Sequence, residues 1–99
     1  MKALETRHQK IIDDILGQYP YDFYVFGSRA KGTHQKFSDI DLCAMKVIPD
    51  IQKSQLHTAF EESNLPFKVD IIEWSKISDD FQRAIKDDFV KIDTLSENK

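Results

Sequence analysis

The sequence predicts an α/β fold of the α+β type, in which a small mixed sheet is flanked by helices in the order αβαβαβα. Apolar residues recur at helical spacing in three segments, and three short runs are rich in β-branched and aromatic residues. Strands that alternate with helices in this way indicate a sheet covered by helices. A length of 99 residues indicates one domain spanning 1–99, with a polar tail from about residue 93.

The three longer helices are each predicted from an apolar stripe. The first spans residues 4–17 and ends near Gly17, and the second spans residues 51–62. The apolar side of the second consists of Ile51, Leu56, Ala59 and Phe60. Ser78 and Asp79 form a cap signal before the third helix. Its stripe consists of Phe81, Ala84, Ile85 and Phe89.

Composition and charge exclude several classes of protein. A formal charge of -3 argues against nonspecific nucleic-acid binding, which needs a basic face. Cys43 is the single cysteine, so no internal disulfide forms, and we interpret it as a buried structural thiol. The first residues lack the apolar stretch of a signal peptide, and no apolar run has the roughly 20 residues of a membrane-spanning helix. We therefore expect a cytoplasmic protein without a membrane partner.

The first of the three predicted strands, residues 21–26, leads into the segment Phe26-Gly27-Ser28-Arg29-Ala30-Lys31-Gly32. Residues 28–32 fit one or two helical turns with Ser28 as N-cap. Glycine permits close approach of the backbone, and the free N–H groups of a helix start favour an anion such as phosphate. Ser28 adds a hydroxyl, and Arg29 and Lys31 add positive charge. We expect a nucleotide phosphate here, although such a turn on its own is more often only a turn.

Asp39 and Asp41 begin the second predicted strand, residues 39–47. Residues two apart on a strand share a face, so these carboxylates lie roughly 6.5 Å apart along it. Carboxylates this close repel unless water or a cation neutralises them, and Mg²⁺ prefers a few carboxylates together with substrate phosphates. The alternative is an edge strand with a solvated acidic face.

Asp70 interrupts the third predicted strand, residues 67–72, where an apolar residue would fit. A carboxylate buried without a partner is costly, and a metal ion is a suitable partner. Glu73 competes for this role, but it lies three residues further on and therefore faces the opposite side. We favour Asp70.

The pattern Gly27-Ser28, ten residues, Asp39-Ile40-Asp41 resembles the signature of the DNA polymerase β-like nucleotidyltransferases, and the short chain resembles their minimal branch. The resemblance covers residues 20–75. It implies a polymerase β-like core in which Asp39, Asp41 and Asp70 are catalytic and bind one or two Mg²⁺ ions. It further implies that Gly27 and Ser28 hold the triphosphate of ATP.

The minimal branch also implies a partner. Such proteins act as antitoxins that transfer AMP from ATP to a tyrosine of a HEPN-domain ribonuclease toxin. We expect no C-terminal helical domain of the kind with which larger relatives hold small substrates, and this expectation favours a protein acceptor. We expect the apolar stripe of the last helix, or Trp74 beside it, to contact that partner. The alternatives are an antitoxin that acts by binding alone, and transfer to a small molecule or nucleic-acid end.

Overall fold

The computed structural model describes residues 4–92, which form a four-stranded mixed sheet with helices packed on both faces. The helices are α1 (Thr6–Leu16), α2 (Ser28–Lys31), α3 (Asp50–Glu61) and α4 (Asp79–Ile85). The strands are β1 (Phe23–Phe26), β2 (Ile40–Ala44), β3 (Val69–Glu73) and β4 (Val90–Lys91). Short 3₁₀ turns at Trp74–Lys76 and Lys86–Asp88 flank α4. The predicted mixed sheet with flanking helices is confirmed.

The sheet has the order β3-β2-β1-β4. β1 runs antiparallel to both β2 and β4, whereas β2 and β3 are parallel and are joined through α3. Asp41 pairs in register with Phe26 on one side and with Asp70 on the other. Register partners share a face of the sheet, so these three side chains form a row across it.

The larger apolar core lies on the face opposite this row. Ile40, Leu42 and Ala44 of β2 have no exposed surface and pack against α1 and α3. Ile12 and Leu16 of α1 are equally buried, which confirms the apolar stripe predicted for the first helix. Because alternate residues of β2 are anchored in this way, the side chains between them are held on the other face.

A smaller apolar cluster lies on the same face of the sheet as Asp41 and Asp70. It contains Phe26, Cys43 and Ile85, with Trp74 and Phe89 packed against them. Cys43 is fully buried, as predicted, and burial raises the pKa of its thiol to about 11. This thiol therefore stays protonated at neutral pH and serves as a packing group.

Glu73 anchors the end of β3 on the face opposite Asp70, as strand alternation predicts. Its carboxylate accepts a hydrogen bond from the Ile48 backbone N–H at 2.7 Å. The ammonium groups of Lys53 and Lys76 lie 2.8 and 3.3 Å from it. Burial alone raises the pKa of Glu73, but the hydrogen bonds from Lys53, Ile48 and Lys76 bring that pKa below its ordinary value. Glu73 thus connects β3 to α3 and to the segment before α3.

The carboxyl-terminal part of the described chain differs from the prediction. The Ser78 cap is confirmed, since its hydroxyl accepts a hydrogen bond from the Phe81 N–H at 3.1 Å. However, α4 ends at Ile85, so Phe89 is not on that helix. Its ring stacks on Tyr24, with the two ring centroids 5.0 Å apart. The added strand β4 then pairs with β1, which the order αβαβαβα omitted. Aromatic packing and strand pairing outweighed the helical spacing of the apolar residues.

Three smaller predictions also need correction or a limit. Gly27, and not Ser28, occupies the N-cap position of α2. Ile51 was placed on the apolar side of α3 but is exposed, since the buried side of that helix is formed by Leu56 and Phe60. The predicted polar tail from residue 93 lies outside the described residues. Within residues 4–92, no helix has both the length and the apolar character needed to cross a bilayer.

Glu73→Gln should lower the free energy of unfolding by about 1–3 kcal/mol, because a buried charged acceptor is replaced by a neutral one. Since the folded-state pKa of Glu73 is lowered, its contribution is present above about pH 4.3 and is lost as the pH falls through the lowered value. Urea unfolding at pH 7 and at acidic pH measures both effects. The control Glu61→Gln removes an exposed partner of His57 and should change stability by less than about 0.5 kcal/mol. Equal losses in the two variants would contradict the anchoring role.

Candidate active site

The carboxylates predicted from the sequence come together where β2 and β3 begin. Asp41 and Asp70 are register partners on these parallel strands, so their side chains leave the same face of the sheet about 4.8 Å apart. Asp39 directly precedes β2 and lies two residues before Asp41. Asp39 and Asp70 are exposed, whereas Asp41 is half-buried. The resulting site is acidic and open to solvent on one side.

The charge of this cluster is felt most strongly at Asp41. Burial, followed by the negative charges of Asp70 and Asp39, raises the pKa of Asp41 above its ordinary value. The three carboxylates are therefore close enough to repel one another, and an ionised Asp41 is disfavoured until positive charge is supplied. This electrostatic strain is what a bound cation would relieve.

Gly27 lies directly against the Asp41 carboxylate. A Cβ placed on Gly27 would lie 2.7 Å from Oδ2 of Asp41, closer than real Cβ contacts allow. The backbone of Gly27 also has φ +76° and ψ -154°, a region that is essentially restricted to glycine. The two halves of the sequence pattern are thus in direct contact, because the Asp41 carboxylate occupies the space that a side chain at position 27 would fill.

The single turn of α2 begins at Ser28, directly after Gly27. The Lys31 N–H donates to the Gly27 carbonyl at 3.1 Å, and the Thr33 N–H donates to the Ser28 carbonyl at 3.0 Å. The Lys31 side chain extends to Asp88, with Nζ 3.5 Å from Oδ2. The turn therefore has a defined shape, and the Lys31 ammonium is half-exposed at its outer side.

Arg29 occupies a different environment from the other residues predicted to bind nucleotide. Its side chain is only 4% exposed, and its guanidinium donates from Nε to the Ser38 carbonyl at 3.0 Å. Nη2 donates to the Lys36 carbonyl at 3.3 Å. The guanidinium also lies over the Phe67 ring, 4.1 Å from its centroid. Burial lowers the pKa of Arg29, and the nearby Asp39 charge opposes that shift.

The donor set at this site suits a hard cation such as Mg²⁺. All three groups are carboxylates, and Asp41 and Asp70 lie side by side on neighbouring strands. As placed, no three His, Cys, Asp or Glu side chains in residues 4–92 by themselves form a set that could hold a metal ion. Mg²⁺ usually keeps several waters and takes one or two carboxylates together with substrate phosphates, so it does not require a closed protein cage. The residues present therefore fit a metal that is completed by its substrate.

Comparison with known proteins gives this site its context. Residues 6–92 match the nucleotidyltransferase domain family. The chain belongs to this family. The resemblance found in the sequence is confirmed at the level of the family, and the chain is a nucleotidyltransferase.

A curated relative and a solved structure agree with this assignment. The Haemophilus influenzae protein named "Probable protein adenylyltransferase MntA" is 37% identical over 93 residues, covering 90% of this nucleotidyltransferase and 82% of the relative. The solved structure described as "Crystal structure of the toxin-antitoxin with AMP-PNP" matches with a TM-score of 0.67 at 21% identity. That match covers 85% of this chain and 71% of the other and shows that the two share a fold.

Gly27→Ala should reduce nucleotidyl transfer by about 10²-fold or more, because the added methyl group displaces the Asp41 carboxylate. The matched control is Gly32→Ala. Gly32 has a similar positive φ of +79°, but an added Cβ meets no atom within 4 Å. Transfer rates of the two folded variants measure the clash together with the backbone strain at Gly27, whose ψ of -154° differs from the 14° of Gly32. If Gly32→Ala lost as much activity as Gly27→Ala, the clash with Asp41 would not be the cause.

Asp41→Asn should stabilise the metal-free, nucleotide-free enzyme at pH 7 while it removes activity. Because the folded-state pKa of Asp41 is raised, ionised Asp41 opposes folding. This effect is absent well below about pH 3.9 and develops as the pH rises through the raised pKa. Thermal unfolding of the wild type and the variant at pH 3 and pH 7 measures the difference. Asp14→Asn, which removes an exposed carboxylate from α1, should give no such pH-dependent gain. An Asp41→Asn variant less stable than the wild type at pH 7 would contradict the repulsion.

Proposed function

We propose that this nucleotidyltransferase is an Mg²⁺-dependent protein adenylyltransferase that transfers AMP from ATP to a hydroxyl group of a partner protein. The partner implied by the sequence resemblance is a HEPN-domain ribonuclease toxin, and the acceptor is one of its tyrosines. AMP transfer would neutralise the toxin, so the protein would act as the antitoxin of the pair.

One observation carries the catalytic part of this proposal. Asp41 contacts Gly27 on one side and is the register partner of Asp70 on the other. The turn that we propose to bind phosphate therefore adjoins the acidic cluster, which supports a single site. A triphosphate held at Gly27-Ser28 would place its phosphates beside the carboxylates, where bound Mg²⁺ would neutralise charge that develops at the α-phosphorus.

The residues of the chain have distinct roles in this reaction. Gly27 and Ser28 would hold the triphosphate, with Lys31 supplying charge from α2, and Asp39, Asp41 and Asp70 would hold the metal together with the substrate phosphates. The acceptor oxygen forms a bond to the α-phosphorus, the bond from the α-phosphorus to the oxygen that bridges to the β-phosphorus breaks, and pyrophosphate leaves. We assign Asp70 the role of taking the hydroxyl proton, and its exposure on β3, an edge strand of the described sheet, supports this role.

A protein acceptor is supported by the relative and by the surface next to the site. The relative at 37% identity is named for protein adenylyltransfer, and the fold is shared with a chain of a toxin–antitoxin complex. Phe81 of α4 is 41% exposed, and its ring contacts Phe26, the register partner of Asp41, at 6.1 Å. An exposed aromatic side chain close to Asp41 offers a contact for a partner.

The experiment combines the purified enzyme with its candidate partner, ATP and Mg²⁺, and measures the intact mass of the partner. Asp39→Asn, Asp41→Asn and Asp70→Asn should each lower AMP transfer by at least about 10²-fold. Glu73→Gln, compared per folded molecule, should retain far more activity, because Glu73 faces α3. Asp14→Asn controls for the loss of one negative charge.

The outcomes separate the candidate functions. A mass increase by whole AMP units that requires ATP and Asp41 supports the proposal. A stable complex without any mass increase would instead indicate an antitoxin that acts by binding alone. Labelling of a small molecule or a nucleic-acid end, with no labelling of a protein, would reject the protein acceptor and retain only the chemistry.

A further inference from the structure

The segment 33–39 between α2 and β2 has no helix or strand, yet it delivers Asp39 to the site. It contains one local turn, in which the Ser38 hydroxyl accepts a hydrogen bond from the Gln35 N–H at 2.8 Å. Beyond it, the Ile40 N–H donates to the Lys68 carbonyl at 2.9 Å and fixes the start of β2. A metal-binding carboxylate on such a loop needs further support, because small displacements of a reacting group are costly.

Arg29 supplies a connection from the phosphate-binding turn to this loop. Its Nε and Nη2 atoms donate to the carbonyls of Ser38 and Lys36, which precede Asp39 by one and three residues. The Phe67 ring, just before β3, supports the guanidinium from one side. One buried side chain of α2 thereby contacts the segment that leads into β2 and the segment that leads into β3.

The geometry points to a role that arginine can perform and lysine cannot. A guanidinium is planar and holds several N–H donors in a fixed fork, so it can bond two carbonyls and stack on a ring at the same time. A lysine ammonium is a compact point charge on a flexible stem, which gives it charge without this arrangement. A residue that served only to attract phosphate would tolerate lysine better than a residue that spans two carbonyls.

We propose that Arg29 is a positioning residue that holds the 36–38 backbone so that the Asp39 carboxylate lies in the acidic site beside Asp41. The catalytic consequence rests on the proposed function, but the structural role does not. Arg29 acts through the backbone before Asp39, and the triphosphate is left to Gly27, Ser28 and Lys31.

Kinetic measurements on Arg29→Lys and Arg29→Gln test the catalytic consequence. Both variants should lower kcat by about 10²-fold, with lysine giving little rescue, while the KM for ATP changes less than about threefold. The control Lys36→Gln removes a neighbouring positive charge but keeps the carbonyl that Arg29 bonds, so its kcat should match the wild type. Substantial rescue by lysine, or a rise in the KM for ATP with kcat unchanged, would overturn the proposal in favour of a phosphate contact.

Hydrogen exchange of the nucleotide-free proteins tests the structural role without any activity. Arg29→Lys should speed exchange by about tenfold or more at the Gln35 and Ser38 amides, which bond within this loop, with β1 and β2 protected as in the wild type. The proposal would be overturned if these amides of Arg29→Lys exchanged at the wild-type rate. It would also be overturned if exchange accelerated equally across the whole chain. If Arg29→Lys unfolds, Phe67→Leu removes the stacked ring and should cause a smaller change in the same amides. A lack of AMP transfer by the wild type would reject the proposed function and leave this measurement valid.

Discussion

Mutual repulsion among Asp39, Asp41 and Asp70 is the constraint around which this small fold is organised. In water the three carboxylates would move apart. The pKa of Asp41 is raised first by burial and then by the negative charges of Asp70 and Asp39. The force that holds them comes from the opposite face of the sheet, where Ile40, Leu42 and Ala44 are fully buried. Burial of apolar side chains thus stabilises an arrangement of charges that is unfavourable without a cation.

The two acids of β3 illustrate how the fold separates stability from chemistry. Asp70 and Glu73 are three residues apart and therefore point to opposite faces. Glu73 is buried with two lysines and a backbone N–H, so its charge is neutralised within the protein. Asp70 is exposed beside two further carboxylates, so its charge is left for a ligand. The same residue class stabilises the sheet on one face and leaves it electrostatically strained on the other.

Much of the site could be predicted from local sequence, because strand periodicity is local. The opposite directions of Asp70 and Glu73 follow from the two-residue repeat alone, whereas Asp39 lies just before β2 and is outside that repeat. The pairing of Asp41 with Asp70 depends on the register of two strands joined through α3, which no local pattern encodes. The brief pairing of β4 with β1 and the contact of Arg29 with Phe67 are likewise long-range. The Gly27–Asp41 contact, across fourteen residues, needed the folded chain to become visible.

That last contact limits how the enzyme can change during evolution. At most positions near a binding site, a lineage can sample residues of gradually increasing size and keep those that adjust specificity. Every replacement of Gly27 introduces at least a Cβ, and the first carbon already meets the Asp41 carboxylate. Even the smallest replacement at this position therefore disturbs Asp41. Variation that retunes nucleotide or partner preference has to accumulate elsewhere, on surfaces such as the exposed ring of Phe81.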